Sequence, residues 1–128
     1  MCVICSGRDI TGFKQLNLYG CDQVKSVPNV EGLETLYCND CLNLVEIPNI
    51  KGLKELICYN CPKLASIPNI IGLEKLHLQL CNSLTNIPTI DGLEVLNCSF
   101  CDGLEVVPDI KGLKTMRCYG CKLIVKTV

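Results

Sequence analysis

No apolar run in this chain approaches the roughly eighteen residues that a membrane-spanning helix needs. The opening MCVICSGRDI likewise lacks the basic stretch followed by an apolar one that marks a secretory leader. Neither sign of charge is in excess: twelve Lys and Arg stand against thirteen Asp and Glu, a net of −1. That balance supplies no field for a phosphate backbone or an anionic lipid surface, so neither nucleic acid nor a membrane is expected as a partner. Histidine occurs once, at His77. No Gly-rich phosphate loop, carboxylate pair or Ser–His arrangement accompanies it. These absences lead to the expectation of a soluble protein in a cytoplasmic or otherwise reducing setting, with no catalytic residues, cofactor or metal.

What is present is a repeat. With 48% hydrophobic residues over 128 positions the chain has the material for one folded domain. Shifted by twenty residues, GLETLYCNDCLNLVEIPNIK (32–51), GLKELICYNCPKLASIPNII (52–71), GLEKLHLQLCNSLTNIPTID (72–91) and GLEVLNCSFCDGLEVVPDIK (92–111) align without a gap. A looser copy, 12–31, precedes them and a truncated one, 112–128, follows, which makes six strand units. Residues 1–11 read as a partial repeat or cap, with Ile4 and Ile10 in the columns of Leu44 and Ile50. The whole of 1–128 is expected to form a single domain.

Each unit reads L-x-x-L-x-C-x-x-C-x-x-L-x-x-I-P-x-I-x-G, which resembles the leucine-rich-repeat family, whose conserved segment is L-x-x-L-x-L-x-x-(N/C)-x-L. The twenty-residue period is similar to the shortest repeats of that family, those of bacterial effector proteins and of giant viruses, with Cys where effector repeats carry Asn. The resemblance implies a mainly β, right-handed parallel solenoid and, for an effector-like protein, delivery into a host cell. It also implies that the concave sheet face binds a partner protein.

The residues point to the same architecture. Leu36 and Cys38 alternate with Thr35, Tyr37 and Asn39, so one set faces inward and the other outward from a short strand. The return limb, such as Leu44 to Gly52, has about eight residues and a central Pro, too short and too interrupted for a stable helix. An extended or polyproline-like convex side with little or no helix is expected.

C-x-x-C occurs at 38/41, 58/61, 98/101 and 118/121, which invites a metal reading. Against it, Leu18 and Leu78 replace the first Cys in two units, and leucine can fill an inward pocket but cannot bind a metal. The second position is Cys throughout, at 21, 41, 61, 81, 101 and 121, where a thiol can donate weakly to a carbonyl. A buried, reduced ladder is therefore expected, with metal and neighbour-to-neighbour disulfides as the alternatives. Cys2 and Cys5 lie outside this register and are expected to be the most exposed, oxidisable thiols.

The outward columns differ from unit to unit while the inward ones do not. Every tyrosine falls in two of them, beside Ile57, His77 and Arg117, and Leu80 and Phe100 lie just beyond the strand end. The candidate binding set is Tyr19, Tyr37, Ile57, Tyr59, His77, Phe100, Arg117 and Tyr119, since tyrosine and arginine carry much of the energy at protein interfaces. The alternative for the tyrosines is simple strand propensity. A second functional reading is self-assembly: the last unit lacks a polar cap, so a homodimer through 112–128, or a further repeat beyond it, would cover its edge.

Overall fold

Leu16, Leu36, Leu56, Leu76 and Leu96 are each the buried centre of a three-residue strand whose outer two side chains face away from the core. The computed structural model describes residues 2–121. Its strands are β1 (Gln15–Asn17), β2 (Thr35–Tyr37), β3 (Glu55–Ile57), β4 (Lys75–His77), β5 (Val95–Asn97) and β6 (Thr115–Arg117). They form one parallel sheet in chain order. Each residue pairs with the one twenty positions on, as in Leu36 with Leu56 and Tyr37 with Ile57. The chain is a parallel β-solenoid, and no helix occurs among the described residues.

The coils are turned by conformations that the sequence repeats. Before every strand an N–H three residues ahead closes onto an isoleucine or valine carbonyl, as in Leu33 N–H to Val30 O at 3.2 Å and Leu53 N–H to Ile50 O at 3.2 Å. The third residue of each such turn is glycine with positive φ, +84° at Gly32 and +90° at Gly52. A type II turn demands that conformation, and glycine adopts it without a Cβ clash. On the far side the limb is extended and makes a second, sparser parallel pairing, through the bridges Ser26 with Glu46 and Asn86 with Val106. Val45 N–H there donates to Lys25 O at 2.8 Å. No room is left for a helix, in agreement with the short proline-bearing limb.

The interior is a set of stacked columns, several of them nearly uniform in residue type. Leu33, Leu53, Leu73 and Leu93 stack in one, Leu44, Leu64, Leu84 and Leu104 in another, and Ile50, Ile70, Ile90 and Ile110 in a third, all buried. A lone coil would leave both sides of every column in water, so stability is gained at the interfaces between coils. At the N-terminal end Ile4, Ile10 and Phe13 are partly buried against this core. At the other end Leu113, Met116, Cys118 and Cys121 are only partly buried. Ile124, Thr127 and Val128, on which the expected defect of the last repeat rests, lie outside the described residues. Lys14, Glu34, Lys54, Glu74, Glu94 and Lys114 form one outward column, which yields two ion pairs among the described residues, Lys14–Glu34 at 3.9 Å and Lys114–Glu94 at 3.2 Å, both well exposed. Such pairs contribute about 0–1 kcal/mol each.

Candidate functional site

The strand register brings part of the candidate binding set together. Tyr37, Ile57, His77, Asn97 and Arg117 are successive partners across β2 to β6 and form one continuous row on the outward face. Tyr37, Ile57 and His77 are half-buried by their neighbours, whereas Arg117 is exposed. His77 and Arg117 line a shallow depression of about 200 Å³ with Val95, Asn97 and Thr115. Burial holds the His77 imidazole below its ordinary pKa; Glu55 opposes this and the cations Lys75 and Arg117 reinforce it. At working pH the row therefore presents a neutral ring beside a cation.

The remaining candidates sit one step further on, where the chain leaves the strand. Tyr19, Tyr59, Phe100 and Tyr119 are exposed. Ser99 stands in the same outward column as Tyr19, Tyr59 and Tyr119 but is buried at 2% exposure. The reason is local: its N–H donates to Asn97 Oδ1 at 3.2 Å, and its Oγ accepts from Tyr119 N–H at 3.1 Å, which draws the hydroxyl into the strand-end network.

The next column holds Leu80 and Phe100, and the backbone conformation its members share is not anticipated by the sequence analysis. Gly20, Asp40, Asn60, Leu80, Phe100 and Gly120 all have φ between 56° and 71°. Glycine, asparagine and aspartate tolerate that region, and Asn60 Nδ2 donates to Asp40 Oδ1 at 2.8 Å. Leu80 and Phe100, both at +60°, do not gain such a bond. Left-handed geometry costs a side chain about 1–2 kcal/mol. Phe100 is 49% exposed, and its ring lies so close over Gly120 that a Cβ there would collide with it. The signal was available in the column itself: four of its six members are residue types that favour left-handed backbone.

Inside, the repeated cysteines form a hydrogen-bonded ladder. The thiols of Cys41, Cys61, Cys81, Cys101 and Cys121 donate to Leu18, Cys38, Cys58, Leu78 and Cys98 carbonyls at 3.1, 2.8, 3.0, 2.6 and 2.9 Å. Each acceptor is the first ladder position of the preceding coil, and this explains why Cys and Leu interchange there: only its carbonyl is used. Burial pushes the Cys101 thiol up to about 11 and raises Cys98 as well. Cys101 stays protonated and donates to Leu78 O. All twelve cysteines, which lie among the described residues, are free thiols.

Cys2 and Cys5 depart from expectation. Neither is a fully exposed thiol; both are half-buried and converge on Cys21. Cys2 Sγ lies 3.4 Å from Cys5 Sγ, and Cys5 Sγ lies 3.3 Å from Cys21 Sγ. Hydrogen bonding with Cys21 and Cys2 pushes Cys5 up to about 12. Burial opposes ionisation of Cys2, yet hydrogen bonding with Cys21 and Cys5 holds it below the usual thiol range. Among the described residues this is the one cluster whose ligand atoms are spaced to share a metal ion. Comparison with protein-family models, curated proteins and solved structures finds no significant match.

Proposed function

We propose that the chain is a right-handed leucine-rich-repeat solenoid that binds a partner protein on the outward sheet face and along its strand-end margin, with no catalytic activity of its own. The observation that carries this reading is Phe100: a large apolar ring held outward by backbone in the left-handed region. Tyr119 is exposed on the next coil and Leu80 shares the strain on the preceding one. Strain retained where it aims a ring at solvent favours a contact, and exposed aromatics with a neighbouring Arg are the residues that anchor protein interfaces. The ladder supports the repeat class, because the thiol does the carbonyl-binding work expected at the Asn/Cys position. A reducing location goes with this reading, since so many free thiols persist where glutathione keeps them reduced.

The test is a titration of a purified, captured partner against wild type, Tyr37→Ala/Tyr59→Ala, Phe100→Asn and the convex-side control Asn49→Ala. Weakening by about tenfold or more in the first two variants, with little change in the third, is expected. Equal losses from both faces would refute the concave site.

A second reading, end-to-end self-assembly, is favoured by β6, which has a paired strand on one side only among the described residues and carries the half-buried Met116 at its centre. Such an edge offers unpaired backbone groups to a second copy. Sedimentation across a wide concentration range separates the two: mass that grows with concentration supports assembly, and a strict monomer rejects it.

A further inference from the structure

We infer that Cys2, Cys5 and Cys21 form a three-thiolate site for a thiophilic d10 metal ion, Zn2+ or Cu+, at the N-terminal end of the solenoid. Cys21 belongs to the ladder column, but it has no ladder bond. Every other thiol of that column reaches a carbonyl of the preceding coil. In front of Cys21 that coil is replaced by the tight turn of residues 2–7, which offers two sulfurs in place of the carbonyl. The turn is held by Ser6 N–H to Cys2 O and Gly7 N–H to Ile4 O, both 3.1 Å, and by the Ser6 hydroxyl on Val3 O at 2.8 Å. Cys2 and Cys5 thus leave one backbone turn side by side, and Cys21 meets them from a separate coil.

The spacing suits a metal. All three Sγ atoms lie within 4.8 Å of one another. Zinc–sulfur bonds of about 2.3 Å in a tetrahedral arrangement set sulfurs about 3.8 Å apart. The two contacts at 3.3 and 3.4 Å need to open by only a few tenths of an ångström to admit the ion. Cys5 N–H points at Cys2 Sγ at 3.5 Å, a backbone donor of the kind that offsets charge on a ligating thiolate. The cluster is also reachable. It opens onto a concavity of about 470 Å³ lined further by Asn17, Tyr19 and Asp22, which leaves space for water or a carboxylate as a fourth ligand. The interior C-x-x-C pairs differ on every count, being sealed in the core with their second thiols committed to carbonyls.

Binding exchanges protons for metal with no change of oxidation state. Three thiols and Zn2+ give a tris-thiolate of charge −1 with release of three H+ to solvent, and Cu+ gives charge −2 with the same release. The ion joins residues 2–5 to the first coil and so staples the N-terminal turn onto the core. The test uses the full chain, reduced and stripped of metal, titrated without oxygen by Co2+ as a spectroscopic stand-in for Zn2+, and in a separate arm by Cu+ against a chromophoric chelator. The expected result is about one ion per chain, with thiolate-to-cobalt absorption that Zn2+ abolishes and about three protons released. Uptake of only one of the two ions assigns the metal.

Cys5→Ser and Cys21→Ser should each weaken binding by about a hundredfold or more, while Cys118→Ser/Cys121→Ser should leave it unchanged. In the wild-type chain, mass mapping after alkylation should show Cys2, Cys5 and Cys21 shielded by added metal and Cys118 not, a readout independent of any variant's folding. Failure of the reduced chain to take up either ion overturns the inference, as does uptake that survives in Cys5→Ser/Cys21→Ser. Failure of metal uptake with an aerobic mass short by two hydrogens would identify the cluster as a disulfide-forming pair instead.

Discussion

Cys61 and Cys21 occupy the same column of the same repeat and live in different chemistry. Cys61 is sealed between coils and donates a hydrogen bond to Cys38 O at 2.8 Å. Cys21, one coil from the end, faces a thiol at 3.3 Å and an open concavity. Residue type and register are shared, so the difference comes from what the neighbouring coil supplies. In a solenoid each position is specified by its own coil and the adjacent ones, and an end position is half-specified. Among the described residues β6 has a neighbouring strand on one side only, and there Met116 is only partly buried although Leu96, its partner across the sheet, is fully so.

The sharpest way to break the comparison is at the hydrophobic column. Leu56→Ala in the middle should lower unfolding free energy by about 3 kcal/mol in urea, whereas Met116→Ala should lower it by about 1 kcal/mol because part of its surface is already in water. Similar losses at both sites would mean that the ends are as well specified as the centre. Next comes the ladder. Cys61→Ala should cost about 2 kcal/mol, since it removes buried volume and leaves the Cys38 carbonyl short of a donor. In the metal-free chain Cys21→Ala should cost less than half as much.

A third comparison uses pH. Burial raises Cys98 and takes Cys101 up from 9.0 to about 11, so the unfolded chain loses these protons first. The stability they contribute is complete below pH 9.0 and is lost as pH rises towards and through 11. A fall on the order of 1 kcal/mol in that window is expected, flattened in Cys101→Ala. Smaller still is Phe100→Asn, which copies Asn60 of the same column: stability should hold or rise by up to about 1 kcal/mol while partner binding falls. A clear loss of stability would show that the ring is structural.

The smallest effect concerns His77. Its pKa is held down by burial, so its contribution is present above 6.5 and is lost as pH falls below that value. His77→Gln should make the acid limb of a thermal-unfolding series slightly flatter. No change in slope would mean that the ring is as free to take up a proton in the folded chain as in the unfolded one.

The repeat made most of the fold legible. Once twenty-residue copies are aligned, the column in which a residue stands decides its direction, and Leu18 and Leu78 at a cysteine position already marked packing. What stayed hidden depends on geometry that no column reports. Cys2-Val3-Ile4-Cys5 has the same C-x-x-C spacing as the interior pairs, but it lies on a tight turn, and only the turn decides that its sulfurs converge on Cys21. Ser99 is buried because its side chain is short: Asn39 of the same column accepts the same kind of N–H bond, from Tyr59, and yet stays half-exposed. The left-handed residues were legible in part: Gly20, Asp40, Asn60 and Gly120 name the conformation, but the positions of Leu80 and Phe100 had to be seen.

The thiol ladder has a kinetic consequence. Cys41, Cys61, Cys81 and Cys101 are shielded only while each coil stays docked on the one before it, because the acceptor carbonyl belongs to that neighbour. A small alkylating reagent therefore reaches a given sulfur when its own junction opens, and the mass of the labelled peptide says which junction that was. If opening spreads inward from the ends, Cys121 reacts before Cys101 and Cys101 before Cys81, and the ratio of successive rates measures the free energy that joins one coil to the next.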